Sequence, residues 1–112
     1  MEAENREIMD QRFIAEVTDK IVERFAPRRV ILFGSHARGC AGPDSDLDLF
    51  IEMETDQRSP ERAIAVSALF GLRSWPLDVV IYTPQEVGRL RNVTGSLLTR
   101  IEAEGKILYE RP

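Results

Sequence analysis

Phe13, Ile14, Val17, Ile21 and Phe25 recur at helical spacing with charged residues between them, and Pro27 follows. Apolar positions at that period line one stripe of an amphipathic helix, and proline cannot continue it. The next pattern is different in kind. Val30-Ile31-Leu32-Phe33 is a short continuous apolar run, which predicts a strand buried on both faces. Gly34-Ser35 breaks that run. Residues His36 to Ser45 include Gly39, Gly42 and Pro43, which predicts a short helical turn followed by a loop.

From Asp46 to Met53 the period becomes two. Strand side chains alternate between faces, so Leu47, Leu49, Ile51 and Met53 share an apolar face. Asp46, Asp48, Phe50 and Glu52 share the other. Ser59-Pro60-Glu61 has the composition of a helix start, with Ser59 as N-cap and proline in the first position. Ala63, Val66, Ser67 and Phe70 would form its buried stripe and Gly71 would close it. Leu77 to Tyr82 repeats the strand logic, with Leu77, Val79 and Ile81 on one face and Asp78, Val80 and Tyr82 on the other. Thr83-Pro84-Gln85-Glu86 matches a capping box. A helical region continues towards Glu104 with an interruption near Gly95, and Lys106 to Tyr109 ends the pattern as a last short strand. Helices interleaved with strands predict an α/β or α+β layered fold.

With 112 residues, one domain spanning residues 1–112 is expected. Apolar content of 43% and charged content of 30% suit a globular protein. A net charge of −4, from 15 basic and 19 acidic residues, is a poor electrostatic footprint for gripping long nucleic acid. No apolar run approaches the roughly 20 residues that span a bilayer. The acidic start Met1-Glu2-Ala3-Glu4 lacks the form of a signal peptide. Cys40 is the sole cysteine, so an internal disulfide is excluded. A cytoplasmic location is the expectation.

The chemistry follows from strand phase. Asp46 and Asp48 stand at i and i+2 on one predicted strand and Asp78 on the equivalent face of another. Carboxylate oxygens are the ligands that Mg²⁺ prefers, usually alongside substrate phosphates. Two such ions roughly 4 Å apart can stabilise the attacking and leaving oxygens of a phosphoryl-group transfer. Gly34 lets the backbone approach a phosphate, and the Ser35 hydroxyl can donate to it. Arg38, one helical turn beyond, can offer a fork of donors to a leaving pyrophosphate.

Gly34-Ser35, the ten residues 36 to 45 and Asp46-Leu47-Asp48 together resemble the hallmark of the minimal nucleotidyltransferase family, a branch of the DNA polymerase β-like superfamily. The strings G-S-H-A-R-G, S-D-L-D-L and L-D-V-V, and the ending E-G-K-I-L-Y-E, are similar to the family over nearly the whole chain. The resemblance implies a small mixed β-sheet flanked by helices. It implies ATP as substrate and two Mg²⁺ ions, with Mn²⁺ as a substitute. Asp46, Asp48 and Asp78 would be catalytic metal ligands, and Gly34 and Ser35 would bind the nucleotide, with Arg38 added to that set by its charge and place rather than by the hallmark. Family members of this size often pair with a HEPN-domain ribonuclease toxin from a neighbouring gene. The implied activity is transfer of AMP to a tyrosine hydroxyl of that toxin, as the antitoxin of a type VII pair.

Two other functions compete. One is nucleotidyl transfer to a small molecule or an RNA end, against which the acidic charge counts. The other is a non-catalytic antitoxin that neutralises by binding. Among single residues, a surface position accounts for His36, Cys40, Arg89 and Arg91, and core packing accounts for Trp75 and Tyr82.

Overall fold

The computed structural model describes residues 10–42 and 45–112. Pro43, in the loop expected before Ser45, lies outside them. The chain runs α1 (Gln11–Phe25), β1 (Arg29–Phe33), α2 (Ser35–Arg38), β2 (Leu47–Glu52), α3 (Ser59–Ala68), β3 (Leu77–Tyr82), α4 (Pro84–Leu90), α5 (Leu97–Glu104) and β4 (Lys106–Glu110). The strands form one four-stranded sheet in the order β3-β2-β1-β4. β1 is antiparallel to both β2 and β4, whereas β2 and β3 run parallel. This is the small mixed sheet flanked by helices that was expected.

Local chemistry explains the element ends. The Asp10 carboxylate accepts the Phe13 N–H at 2.9 Å and caps α1. Ala26 closes that helix in a left-handed conformation (φ 48°), with its N–H donated to the Val22 carbonyl. Pro27 then prevents continuation. The Thr83–Glu86 capping box forms as expected: Thr83 Oγ1 accepts from Glu86 N at 3.2 Å, and Glu86 Oε1 accepts from Thr83 N at 2.8 Å.

Strand alternation divides the core between two faces. Val30, Leu32, Leu47, Leu49, Ile51, Met53 and Ile81 pack with Ile14, Val17 and Ile21 of α1 and Val66 of α3. Ile31 and Phe50 face the other way, against Val87 of α4 and Leu98 and Ile101 of α5. The sheet is thus covered on both sides, which is why β1 reads as a continuous apolar run. Gly105 makes the turn from α5 into β4 close to β1: a Cβ there would stand 2.5 Å from Ile31 Cγ2.

Two details differ from the sequence expectation. The cap of α3 is Arg58 rather than Ser59, and no side chain bonds the helix end. Ser59 is already helical because the first i→i+4 bond is from Arg62 N to the Arg58 carbonyl. The buried stripe of α3 is also displaced. Arg62 and Val66 are buried, while Ala63 and Ser67 are half-buried. The Arg62 guanidinium is accommodated by donating to the Gln57 carbonyl (2.7 Å), the Ile81 carbonyl (3.1 Å) and the Glu86 carboxylate (2.7 Å). A second ionic group holds α5 to the sheet, with Arg29 bridging Glu52 at 2.7 Å and Glu102 at 2.9 Å.

Candidate functional site

The register of the sheet assembles the acidic residues. Phe33, the last residue of β1, stands opposite Asp48 of β2, and Asp48 stands opposite Asp78 of β3. Residues paired across neighbouring strands project from the same face. Asp48 and Asp78 therefore lie side by side, on the face covered by α4 and α5. The parallel pairing of β2 and β3 is held at its start by Leu47 N donating to the Pro76 carbonyl at 3.0 Å. Asp46 lies one residue before β2 and is exposed, so it flanks the row from outside the ladder.

The turn after β1 closes over this row. Gly34 has φ 77° and ψ −156°, a region essentially reserved for glycine. A Cβ at position 34 would overlap the Asp48 carboxylate oxygen and stand 2.9 Å from its Cγ. No other residue type lets the backbone come this close. The Gly34 carbonyl accepts from Ala37 N at 3.1 Å and Arg38 N at 3.2 Å, which starts the single turn of α2 with Ser35 at its head.

Electrostatics reflects the crowding. Partial burial raises the Asp48 carboxyl above its ordinary value, and the neighbouring Asp78 and then Asp46 carboxylates raise it further. His36 and Arg38 act in the opposite direction. Ionised together, these carboxylates repel, and a cation among them would relieve that repulsion. Their all-oxygen donor set fits a hard divalent ion such as Mg²⁺. Among the described residues, however, no three His, Cys, Asp or Glu side chains already converge as a ligand set. Asp48 and Asp78 are brought together by the sheet, while Asp46 approaches from the loop.

Arg38 is exposed at the end of α2 and shares a cavity of about 150 Å³ with Gly34 and Arg100 of α5. In the sequence Arg100 reads as one more charge on a helix. The sequence places His36 at the surface, whereas it is half-buried, and its Nε2 is enclosed with no hydrogen-bond partner among the described residues. Nothing in the local sequence signals that enclosure. Trp75 packs as a core aromatic, edge-on to Phe13 (centroids 5.1 Å apart) and Phe70 (5.6 Å). Tyr82 packs similarly on Phe50 at 5.6 Å. Cys40 is exposed.

Comparison with known proteins gives the family and the fold. The family profile described as "Nucleotidyltransferase domain" matches residues 14–111, which include β1, the Gly34 turn and both paired carboxylates. The chain belongs to the nucleotidyltransferase domain family. Among solved structures, this nucleotidyltransferase domain is similar to a Sulfolobus solfataricus protein provisionally assigned as a nucleotidyltransferase. The TM-score is 0.64 at 20% identity, over 97% of this chain and 87% of that one. It is also similar to a chain of a toxin–antitoxin crystal structure with AMP-PNP. Here the TM-score is 0.54 at 20% identity, over 87% of this chain and 73% of that one. At such identities the likeness is one of fold. A search among curated proteins finds no match to this nucleotidyltransferase domain. No helix among its described residues is long and apolar enough to cross a membrane.

Proposed function

We propose that this nucleotidyltransferase domain transfers AMP from ATP to a tyrosine hydroxyl of a partner HEPN-domain toxin, as the antitoxin of the pair. The observation that carries the reading is the contact of Gly34 with Asp48 beside Asp78. It puts a glycine turn suited to phosphate and a pair of carboxylates suited to a divalent cation at one end of one sheet. The structural likeness to a chain of a toxin–antitoxin structure with AMP-PNP supports a nucleotide and a toxin partner.

In this reading Asp46, Asp48 and Asp78 hold Mg²⁺, which when bound neutralises charge on the triphosphate and acidifies the attacking hydroxyl. The backbone at Gly34 and the Ser35 hydroxyl cradle phosphate oxygens, and Arg38 neutralises the β- and γ-phosphates. The tyrosine oxygen forms a bond to the α-phosphorus while the bond from that phosphorus to the α–β bridging oxygen breaks. Pyrophosphate leaves with the electron pair. The tyrosine proton passes to the Asp78 carboxylate and then to water. In this reading the partner supplies the surface that presents its tyrosine.

The test incubates the purified chain with α-labelled ATP, Mg²⁺ and the product of the neighbouring gene. Label on that product, lost with Asp48→Asn, is the expected result. A stable complex that silences the partner without any label would overturn the transfer reading in favour of inhibition by binding.

A further inference from the structure

Arg38 and Arg100 come from elements far apart in sequence, yet both border the small cavity beside Gly34. The cavity lies on the Asp48 and Asp78 side of the sheet: its wall includes Phe33, which is in register with Asp48, and Ile101, which packs in the core of that face. The guanidinium of Arg100 is exposed, and among the ion pairs formed by the described residues neither it nor Arg38 takes part. Arg29, Arg62 and Arg91, by contrast, are each bonded to a carboxylate within 3 Å. Those three serve the fold. Arg100 does not.

Leu98 and Ile101 are buried and fix α5 against the sheet, so the position of Arg100 is set by packing rather than by its own contacts. A rigid helix backbone leaves only the side chain of Arg100 to be ordered when a ligand arrives. Two guanidinium forks bordering one cavity with a glycine turn match a ligand with several anionic oxygens. Glu104, one turn on from Arg100, borders the same cavity. Its charge opposes an anion and gives the site a built-in counterweight.

Building on the proposed function, we infer that Arg100 is a substrate-binding residue for the β- and γ-phosphates of the nucleotide, acting across the Gly34 turn from Arg38. α5 thereby contributes to discrimination between triphosphate and monophosphate. The leaving pyrophosphate is held from two sides, by α2 and by α5.

The test measures binding of ATP, AMP and inorganic tripolyphosphate by calorimetry in Mg²⁺, for the wild-type chain and for Arg100→Met, Arg100→Lys and Glu104→Gln. Arg100→Met is expected to weaken ATP and tripolyphosphate about tenfold or more, as for a lost charge-assisted bond, with AMP changed less than about twofold. Arg100→Lys recovers part of the loss, because the charge remains while the planar fork is gone. Glu104→Gln tightens both polyphosphates. Equal ATP affinity in Arg100→Met and wild type would overturn the inference and leave the proposed function standing. An equal loss of ATP and AMP would also overturn it, because displacement of α5 would then explain the effect. A wild-type chain that binds no nucleotide would remove the proposed function, and this inference with it.

Discussion

Gly34 and Asp48 stand so close that the Asp48 carboxylate fills the space a Cβ at position 34 would need. The backbone of the turn and the acid of the neighbouring strand therefore behave as one unit. Gly34→Ala is expected to destabilise the fold by about 1–3 kcal/mol through its φ/ψ alone. It is also expected to weaken ATP binding by displacing Asp48. Urea denaturation and calorimetry on the same sample check both. A variant that loses stability but binds ATP normally would separate the turn from the carboxylate.

Asp48 stands against like charge, so its removal should relieve the fold while damaging the chemistry. Asp48→Asn is expected to melt at or above the wild-type temperature, since the raised carboxyl marks an ion that the folded state disfavours. Its nucleotidyl transfer should fall by about 10²-fold or more. Thermal melts paired with a labelled-ATP assay read both effects. A large drop in melting temperature would contradict the electrostatic account.

Divalent cations should stabilise the protein by the same logic. Adding Mg²⁺ in the millimolar range is expected to raise the melting temperature of the wild-type chain by mass action on the folded state. An Asp48→Asn, Asp78→Asn double variant should lose most of that response, and EDTA should reverse it. Equal Mg²⁺ responses in the two proteins would place the cation elsewhere.

Acid stability should follow Glu86 and Glu102. Hydrogen bonding from Arg62 holds the Glu86 carboxyl below its ordinary value of 4.5, and hydrogen bonding from Arg91 does the same for Glu102. A depressed folded value means that the stabilisation is fully present above about pH 4.5 and is lost as pH falls through the folded value. Melting temperature should therefore decline steeply below about pH 4.5. The Glu86→Gln, Glu102→Gln double variant should start lower at neutral pH and show a flatter acid limb.

Arg62 is buried and ties α3 to β3 and α4 through three acceptors. Arg62→Met should cost about 2–3 kcal/mol in urea denaturation, because the Ile81 carbonyl and Glu86 lose their partner. A cost below about 1 kcal/mol would show that methionine packing offsets the lost bonds.

How much of this was legible in the sequence depends on which interactions are periodic. Alternation along Leu47–Ile51 and Leu77–Ile81 assigned side chains to faces, and burial on one face against exposure of Asp78 on the other agrees with it. Asp48 and Asp78 could thus be placed in phase. Their meeting required more than phase. It depends on β2 and β3 being neighbours, parallel, and aligned so that 48 faces 78. Period-two patterns carry no information on partner or offset. Arg62 was invisible for another reason: hydropathy treats arginine as solvated, whereas a long stem can bury itself if backbone carbonyls receive the head. Arg100 and Arg38 converge only through the docking of α5, a tertiary event without a local signature. Ser59 shows the limit of composition rules, since its hydroxyl sits where a cap would be read and the helix begins one residue earlier.

The parallel pairing of β2 and β3 has a consequence for how such a chain can vary. An antiparallel neighbour would have run Asp78 away towards the opposite rim; the passage through α3 returns the chain to the rim where it began, and the acids coincide there. All that passage must do is come back. Its outward surface, where Ile64 is 67% exposed, can be rewritten, lengthened or decorated without moving either acid, because strand alignment sets their spacing. A chain built this way can change the company it keeps on one flank while its reactive rim stays as it is.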